Sequence, residues 1–522
     1  MAVGGTHRTR APIAGSTATW HMHASCTSRC LAVIIAGLLA GCAVGPDFTP
    51  PAAPKVKGYT PEPLGSGTAS APTPGGQAQH FVRNLDLPGQ WWTLFHSKGL
   101  NSLIEKALAA NPDLQAAQAA LRVARHNVHA QEGALFPAVD ANFNAIREQS
   151  PIGGPPEPTE QAPTFNLFTG QLNISYVPDV FGGTRRSIEA LVAQSESQRF
   201  QLEATYLTLT SNVAGAAVQE ASLRGQIAAT LRIIKIETDV LTLLRRQYEL
   251  GQVAEADVVA QEAALAAVEQ TLPPLRKQLA QQRDLLVALS GGFPSDRLPQ
   301  QFELATLHLP RDLPVSLPSK LVQQRPDVRA AEANLHAASA QIGVAVANRL
   351  PNITLSATTG STALSIDKLF SPNTGFWEVS GSVTQPIFHG GTLLQRELAA
   401  RATFDQAAAQ YRSTVITAFQ NVADALRAIQ SDAVALQKAA ATERAAGRSL
   451  EITRRRLELG DINYLSLLNA QQTYQQALIN LAQTKALRYA DTVALFQALG
   501  GGWWNRSDAE LERPLSIGDV FQ

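Results

Sequence analysis

"RPDVRAAEANL", residues 325–335, repeats a phrase the chain has already used, "NPDLQAAQAAL" at 111–121. The copies stay aligned without a gap as far as a proline: Pro112 lies 25 residues before Pro137, and Pro326 lies 25 before Pro351. Two more pairs follow in the same order, "PDVFGGTRR" from Pro178 against "PIFHGGTLL" from Pro386, and "RRQYELGQ" ending at Gln252 against "RRRLELGD" ending at Asp461. Three ordered matches establish an internal duplication. The separation is 214 residues for Asp113 and Asp327, 208 for Gly182 and Gly390, and 209 for Gly251 and Gly460. The first copy therefore holds extra residues upstream of Gly182, where "EQSPIGGPPEPTEQAP" (148–163) reads as a Pro/Gly-rich loop. The copies span about 99–292 and 317–502, joined by a linker at 293–316.

Proline spacing marks the helices. The chain has 30 prolines, yet none between Asp179 and Leu272 and none between Ile387 and Arg513. A proline inside a helix costs about 3 kcal/mol, so such gaps point to long helices. Each copy is expected to hold one long helical hairpin, at 184–290 and 392–499, with Pro273-Pro274 kinking the first return helix. The tips fall at Gly251 and Gly460, each after a basic helix end (Arg245–Arg246; Arg454–Arg456) that suits a C-terminal cap. Leu231, Ile234, Thr238, Leu241 and Tyr248 form an expected coiled-coil stripe, as do Leu467, Tyr474, Leu478 and Leu481.

Four short segments switch to period two, at about 138–147, 167–177, 352–361 and 376–385. Val139, Ala141 and Phe143 alternate with Asp140, Asn142 and Asn144; Leu172, Ile174 and Tyr176 with Gln171, Asn173 and Ser175. Ile353, Leu355 and Ala357 alternate with Thr354, Ser356 and Thr358; Trp377, Val379 and Val383 with Glu378, Ser380 and Ser382. One apolar and one polar face is the pattern of a transmembrane strand beside a wet lumen, and Trp377 with Phe376 at one strand end suits an aromatic girdle. Four strands cannot close a barrel, whose edges must vanish in lipid. Eight strands from a dimer give an interior that side chains fill; twelve from a trimer leave a lumen. The Gly182-Gly183 and Gly390-Gly391 pairs read as strand-to-helix joints.

With 43 basic and 43 acidic residues in 522, no charge excess points to nucleic acid. All three cysteines (Cys26, Cys30, Cys42) fall in the first 42 residues, which leaves no disulfide framework or thiolate metal site downstream. "CLAVIIAGLLAGC" has signal-peptide length, and residues 1–41 are expected to be removed, with Met22 the expected true start. Leu39-Ala40-Gly41-Cys42 resembles the lipobox of bacterial lipoproteins, which implies a lipid on Cys42; Ala43 favours sorting to the outer membrane. Residues 42–98 then read as an extended leash, and 503–522 as a tail.

The whole is similar to the TolC-like outer-membrane factors, in their NodT-type lipoprotein branch. The likeness rests on "WWTLFHSKGLNSLIEKALAANPDLQAA", "LPSKLVQQRPDVRAAEANL", "QPIFHGGTL", "LELGDINYLSLLNAQQTY" and "LFQALGGGW". It implies a membrane protein of α+β type: a homotrimer with a twelve-stranded β-barrel in the outer membrane and a periplasmic tunnel of antiparallel coiled-coil helices. It also implies a passive exit duct of a tripartite efflux pump for small molecules, such as drugs. The partners would be a periplasmic adaptor and an inner-membrane transporter of the resistance-nodulation-division type. The resemblance places the aperture at the tips, with Asp257 tying the tip helices and Leu465 at the constriction. Here Ser466 and Asn469 stand where the family's acidic ring is usual, and Leu457 and Ile462 replace its tyrosine and arginine. An amide ring narrows a pore without collecting cations.

An enzyme is the rival class, but the chain has no G-x-x-x-x-G-K-[ST], H-E-x-x-H, G-x-S-x-G or C-x-x-C. His126 and His129 sit three apart without a third ligand. No cofactor is expected beyond the lipid. The second rival is a lipid-anchored structural coiled coil without a pore, which would need no alternating strands.

Overall fold

The computed structural model describes residues 43–56, 58–149 and 164–506. The signal segment, Cys42, most of the 148–163 loop and residues 507–522 lie outside them.

In chain order the elements are β1 (His80–Arg83), α1 (Lys98–Ala110), α2 (Pro112–Glu132), β2 (Ala138–Gln149), β3 (Thr164–Tyr176), α3 (Gly183–Glu249), α4 (Glu255–Leu289), β4 (Asp312–Val315), α5 (Pro318–Gln324), α6 (Pro326–Ala347), β5 (Asn352–Ala363), β6 (Gly375–Thr384), α7 (Thr392–Glu458) and α8 (Tyr464–Ala498). The duplication is written in their lengths: α3 and α4 have 67 and 35 residues, and so do α7 and α8.

Local chemistry explains where these elements start and stop. In the repeated Pro-Asp motif the proline takes the first helical turn, where its missing N–H is no loss. Asn111 Oδ1 accepts from the amides of Asp113 (2.9 Å) and Leu114 (3.2 Å) to cap α2. In the second copy Arg325 clamps Asp327 at 2.6 Å and donates to Ala498 O at 3.1 Å, which ties the start of α6 to the end of α8. Asp179 caps α3 by accepting from the amides of Thr184 and Arg185, both at 2.9 Å. α4 continues through Pro273 and Pro274 as one element.

The chain divides into two compact units. Among the described residues, the first (43–46, 134–149, 164–187 and 343–397) holds an antiparallel sheet in the order β2-β3-β5-β6. The second holds most of the helical chain. In its core Trp91, Trp92, Phe95, Phe302, Tyr489 and Phe496 are buried beside Ala214, Ala217, Ala221 and Ala418, whose small side chains let long helices approach closely. Among the described residues no helix is long and apolar enough to cross a membrane.

Two sequence expectations need correction here. The described part of 42–98 is no free leash. β1 pairs in parallel with β4, and buried Arg488 of α8 donates to Gly75 O (3.2 Å), Gln77 O (3.0 Å) and Gln79 Oε1 (3.0 Å). A Pro/Gly-rich segment lacks regular structure but offers free carbonyls, and a buried guanidinium collects them. The tail also begins later than 503: Trp503 Nε1 donates to Gln324 O at 2.7 Å, and Arg506 pairs with Glu203 at 3.0 Å.

Candidate functional site

The sheet sorts its side chains by face. Register places Val139, Ile174, Ala357 and Val379 in one cross-strand row, and Ala141, Leu172, Thr359 and Trp377 in the next. Adjacent positions point the other way and give Asp140, Asn173, Thr358 and Glu378 in one row, and Ser175, Ser356 and Ser380 in another. The polar face is hydrogen-bonded to itself: Thr358 donates to Asn173 Oδ1 at 3.0 Å, and the Ser356 and Ser380 hydroxyls lie 2.8 Å apart. The apolar face is bare, with Trp377 78%, Val379 73% and Val139 63% exposed. An uncovered apolar face of this kind marks a contact surface for lipid or protein. Phe376 corrects the girdle expectation: it shares a row with Gly360, Gln171 and Asn142, on the polar face, because neighbours in a strand alternate.

At the joints, Gly182 has φ +77°, and a Cβ there would lie 2.6 Å from Ala43. Gly390 and Gly391 have φ of +56° and +81° with open space around them, so their requirement is conformational alone. Gly183 opens α3, where an added Cβ would lie 3.0 Å from the Ala347 side chain.

The two tips close with one device. Gly251 (φ +71°) donates to Tyr248 O at 2.8 Å and Gln252 to Gln247 O at 2.8 Å. Gly460 (φ +74°) donates to Leu457 O and Asp461 to Arg456 O, both at 2.9 Å. These paired bonds form the Schellman cap, which needs a left-handed residue. Arg456 also pairs with Asp461 at 2.8 Å.

Beyond the second tip, Asn463 caps α8 by accepting from the Ser466 amide (3.2 Å) and hydroxyl (2.8 Å). Leu465, Ser466 and Asn469 share one exposed face of that helix, Leu465 at 59%. Tyr464, Leu467, Gln471 and Tyr474 form the opposite, buried face. Asp257 stands in the first turn of α4, half-buried, where its charge acts on Tyr464. Leu457 and Ile462 are half-buried.

The first expected stripe holds in part. Leu241 is buried and Ile234 packs half-buried beside it, whereas Leu231 and Tyr248 are exposed, and the buried line of α3 also takes in Ile233, Glu237, Val240 and Leu244. The line includes a carboxylate, which a search for apolar residues alone passes over. Gln261 of α4 donates through Nε2 to Glu237 Oε2 (2.5 Å) and to Glu237 O (2.9 Å), and the Tyr464 hydroxyl donates to Gln261 Oε1. Burial pushes the Glu237 carboxyl up, partly offset by the Gln261 hydrogen bond. Burial, then the charges of Glu237 and Asp257, push the Tyr464 phenol up. The detectable signal for this cluster was a charged residue at a core position of a heptad.

A four-stranded amphipathic sheet whose outer edges are unpaired among the described residues, carried with duplicated 67- and 35-residue helical hairpins, is the architecture a membrane-duct protomer needs. The profile of the outer membrane efflux protein family matches twice, at residues 103–292 and 317–501, and the chain belongs to that family. It is 30% identical to the pyoverdine export outer membrane protein OpmQ of Pseudomonas putida, across 85% of this chain and 94% of that protein. It is 27% identical to the cation efflux system protein CusC of Escherichia coli, across 90% and 97%. Among solved structures it is similar to the outer-membrane channel OprN (27% identity, TM-score 0.78, covering 88% of this chain and 100% of that one). It is also similar to the open state of the MtrE outer membrane channel of Neisseria gonorrhoeae (26% identity, TM-score 0.76, covering 90% and 100%). The chain is thus an outer-membrane channel component of an efflux system, and the family is a family of ducts with no enzymatic reaction. Such proteins work beside an adaptor and an inner-membrane transporter.

Proposed function

We propose that three copies of this chain join β6 of one to β2 of the next and close a twelve-stranded barrel, its apolar face toward lipid and its polar face lining a lumen. The observation that carries this reading is the register-sorted sheet. Both outer edges lack a strand partner among the described residues, and β2 and β6 run in opposite directions, so a neighbour's β2 continues the antiparallel pattern. Unpaired edges are not tolerated in lipid, and closure by copies satisfies them. The long hairpins then enclose the periplasmic part of the duct, with its aperture at Leu465, Ser466 and Asn469. The duct takes small molecules passively from a transporter of the resistance-nodulation-division type through a periplasmic adaptor, and the transporter selects the cargo. A lipid on Cys42, outside the described residues, anchors each chain; intact mass of the purified protein beside a Cys42→Ser variant tests that separately.

The test of function is planar-bilayer conductance of the purified protein beside Leu465→Ser. A small wild-type conductance that rises several-fold in the variant supports the duct and the aperture. Trimers that leave the bilayer silent in both forms overturn it in favour of an anchored coiled coil.

A further inference from the structure

The structure supplies a polar tie between the two hairpins at their tips. Gln261 of α4 is fully buried, Glu237 of α3 is 3% exposed and Tyr464 of α8 is 6% exposed. Gln261 has two amide hydrogens and one carbonyl oxygen to satisfy, and all three are used: both hydrogens on Glu237, the oxygen on the Tyr464 hydroxyl. Its amide orientation is therefore fixed by its neighbours, and breaking any one bond strands a buried polar group. Tyr464 is the first residue of α8, directly before Leu465 and Ser466 and five residues before Asn469.

The geometry points to Gln261, Glu237 and Tyr464 as positioning residues that hold the aperture at rest: they fasten the start of α8 to the first hairpin and so fix where Leu465, Ser466 and Asn469 stand. This rests on the aperture reading above. It supplies a seal where the chain lacks both an acidic ring and the tyrosine and arginine that Leu457 and Ile462 replace. Outward movement of α8 must separate Tyr464 from Gln261 and wet the Glu237 carboxylate.

That movement is linked to protons. The charged and titratable groups of the cluster are Glu237 on α3, Asp257 on α4 and Tyr464 on α8, while α7 contributes apolar Ala446 and Leu450. Arg245 and Glu262 pair with each other at 2.7 Å on the exposed side. Burial raises the Glu237 carboxyl in the closed tip, and wetting returns it toward its ordinary value. The closed form therefore binds the proton more tightly. Closure gains as pH falls and is lost as pH rises through the raised value.

The test compares bilayer conductance of wild type, Y464F, Q261L, E237Q and L465S, each first shown to be trimeric. Y464F and Q261L are expected to conduct several-fold more than wild type at neutral pH. Wild-type conductance is expected to fall as the pH is lowered from neutral into the acid range, the direction the raised Glu237 carboxyl sets. E237Q, which keeps an acceptor for Gln261 without a charge, is expected to stay low throughout. If L465S conducts more but Y464F and Q261L match wild type, the tie is refuted and the aperture stands. If no variant conducts more, both fall. If Y464F and Q261L yield no trimers, the pH profiles decide: a wild type as flat as E237Q overturns the tie.

Discussion

The two hairpin tips share their turn and their helix lengths but not their buried polar residues. Both helix pairs have 67 and 35 residues, and both turns are Schellman caps with glycine near φ +70°. With a constant offset of 209, Glu237 corresponds to Ala446, Gln261 to Ala470, and Tyr464 to Glu255. Each member of the buried network thus occurs in one copy only: Glu237 and Gln261 pair within the first, and Tyr464 of the second completes the network. Duplication supplies a scaffold of equal lengths and equal turns; divergence at a few buried positions gives the halves different side-chain contacts.

The sharpest way to break that comparison is to treat the tips identically. Leu465 corresponds to Ala256, and both are exposed at the start of a return helix. Leu465→Ser is expected to raise bilayer conductance several-fold, whereas Ala256→Ser leaves it unchanged. Equal rises would mean that both tips line the constriction.

A second contrast lies farther along the return helices. Asp491 of α8 faces Asp432 of α7, where the first copy has Gln282 and Leu223. Gln282 donates to Ala216 O at 3.1 Å, an ordinary helix-to-helix tie. Burial, and after it the hydrogen bond and charge of Asp432, raise the Asp491 carboxyl from 3.8 to about 7. Because the folded value lies above the unfolded one, this site stabilises the protein fully below the unfolded value, and the stabilisation is lost as pH rises through about 7. The Tm of wild type is expected to drop by several degrees more than that of Asp491→Asn between about pH 5 and about pH 8. Parallel curves would show that folding does not raise the Asp491 carboxyl.

The turns test the opposite side of the comparison, where no difference is expected. An added Cβ at Gly251 or Gly460 meets nothing within 4 Å, so alanine meets only the left-handed backbone penalty, about 1–2 kcal/mol. Gly251→Ala and Gly460→Ala are expected to lower stability equally in urea unfolding. A larger loss at Gly460 would mean that the second turn carries contacts the first lacks.

How far the sequence reached follows the same division. Repeats, proline gaps and period-two alternation report regular backbone, and from them the tips fall at Gly251 and Gly460 while the strand at about 138–147 corresponds to Ala138–Gln149. The buried line of α3 was legible only in part: a stripe chosen for apolar residues includes the buried Leu241, but it also takes the exposed Leu231 and Tyr248 and skips Glu237. The packing of 43–98 was hidden for a related reason. A segment without periodicity reads as tether, and the residue that holds it, Arg488, lies some four hundred positions away, as the spacing of 409 to Gln79 shows. Long-range polar partners leave no local trace in a single sequence.

The smallest expected effect comes from the position after Ala470. Glu262 in the first copy pairs with Arg245 at 2.7 Å, and its counterpart in the second copy is Gln471, 1% exposed. There Arg454 turns to Glu458 on its own helix at 3.3 Å, and neither Oε1 nor Nε2 of Gln471 has a hydrogen-bond partner among the described residues. A buried amide without a partner forfeits its hydration, at about 1–3 kcal/mol, and an apolar side chain of similar volume avoids that penalty. Gln471→Leu is therefore expected to raise stability by up to about 1 kcal/mol, some of the gain being spent on repacking against Leu467 and Tyr474. Glu262→Leu, which removes an exposed pair, is expected to change stability by less than about 0.5 kcal/mol. A loss in Gln471→Leu would show that the amide is partnered in the assembled protein, by ordered water or by a neighbouring chain. The asymmetry of the tips would then extend to the contacts between chains.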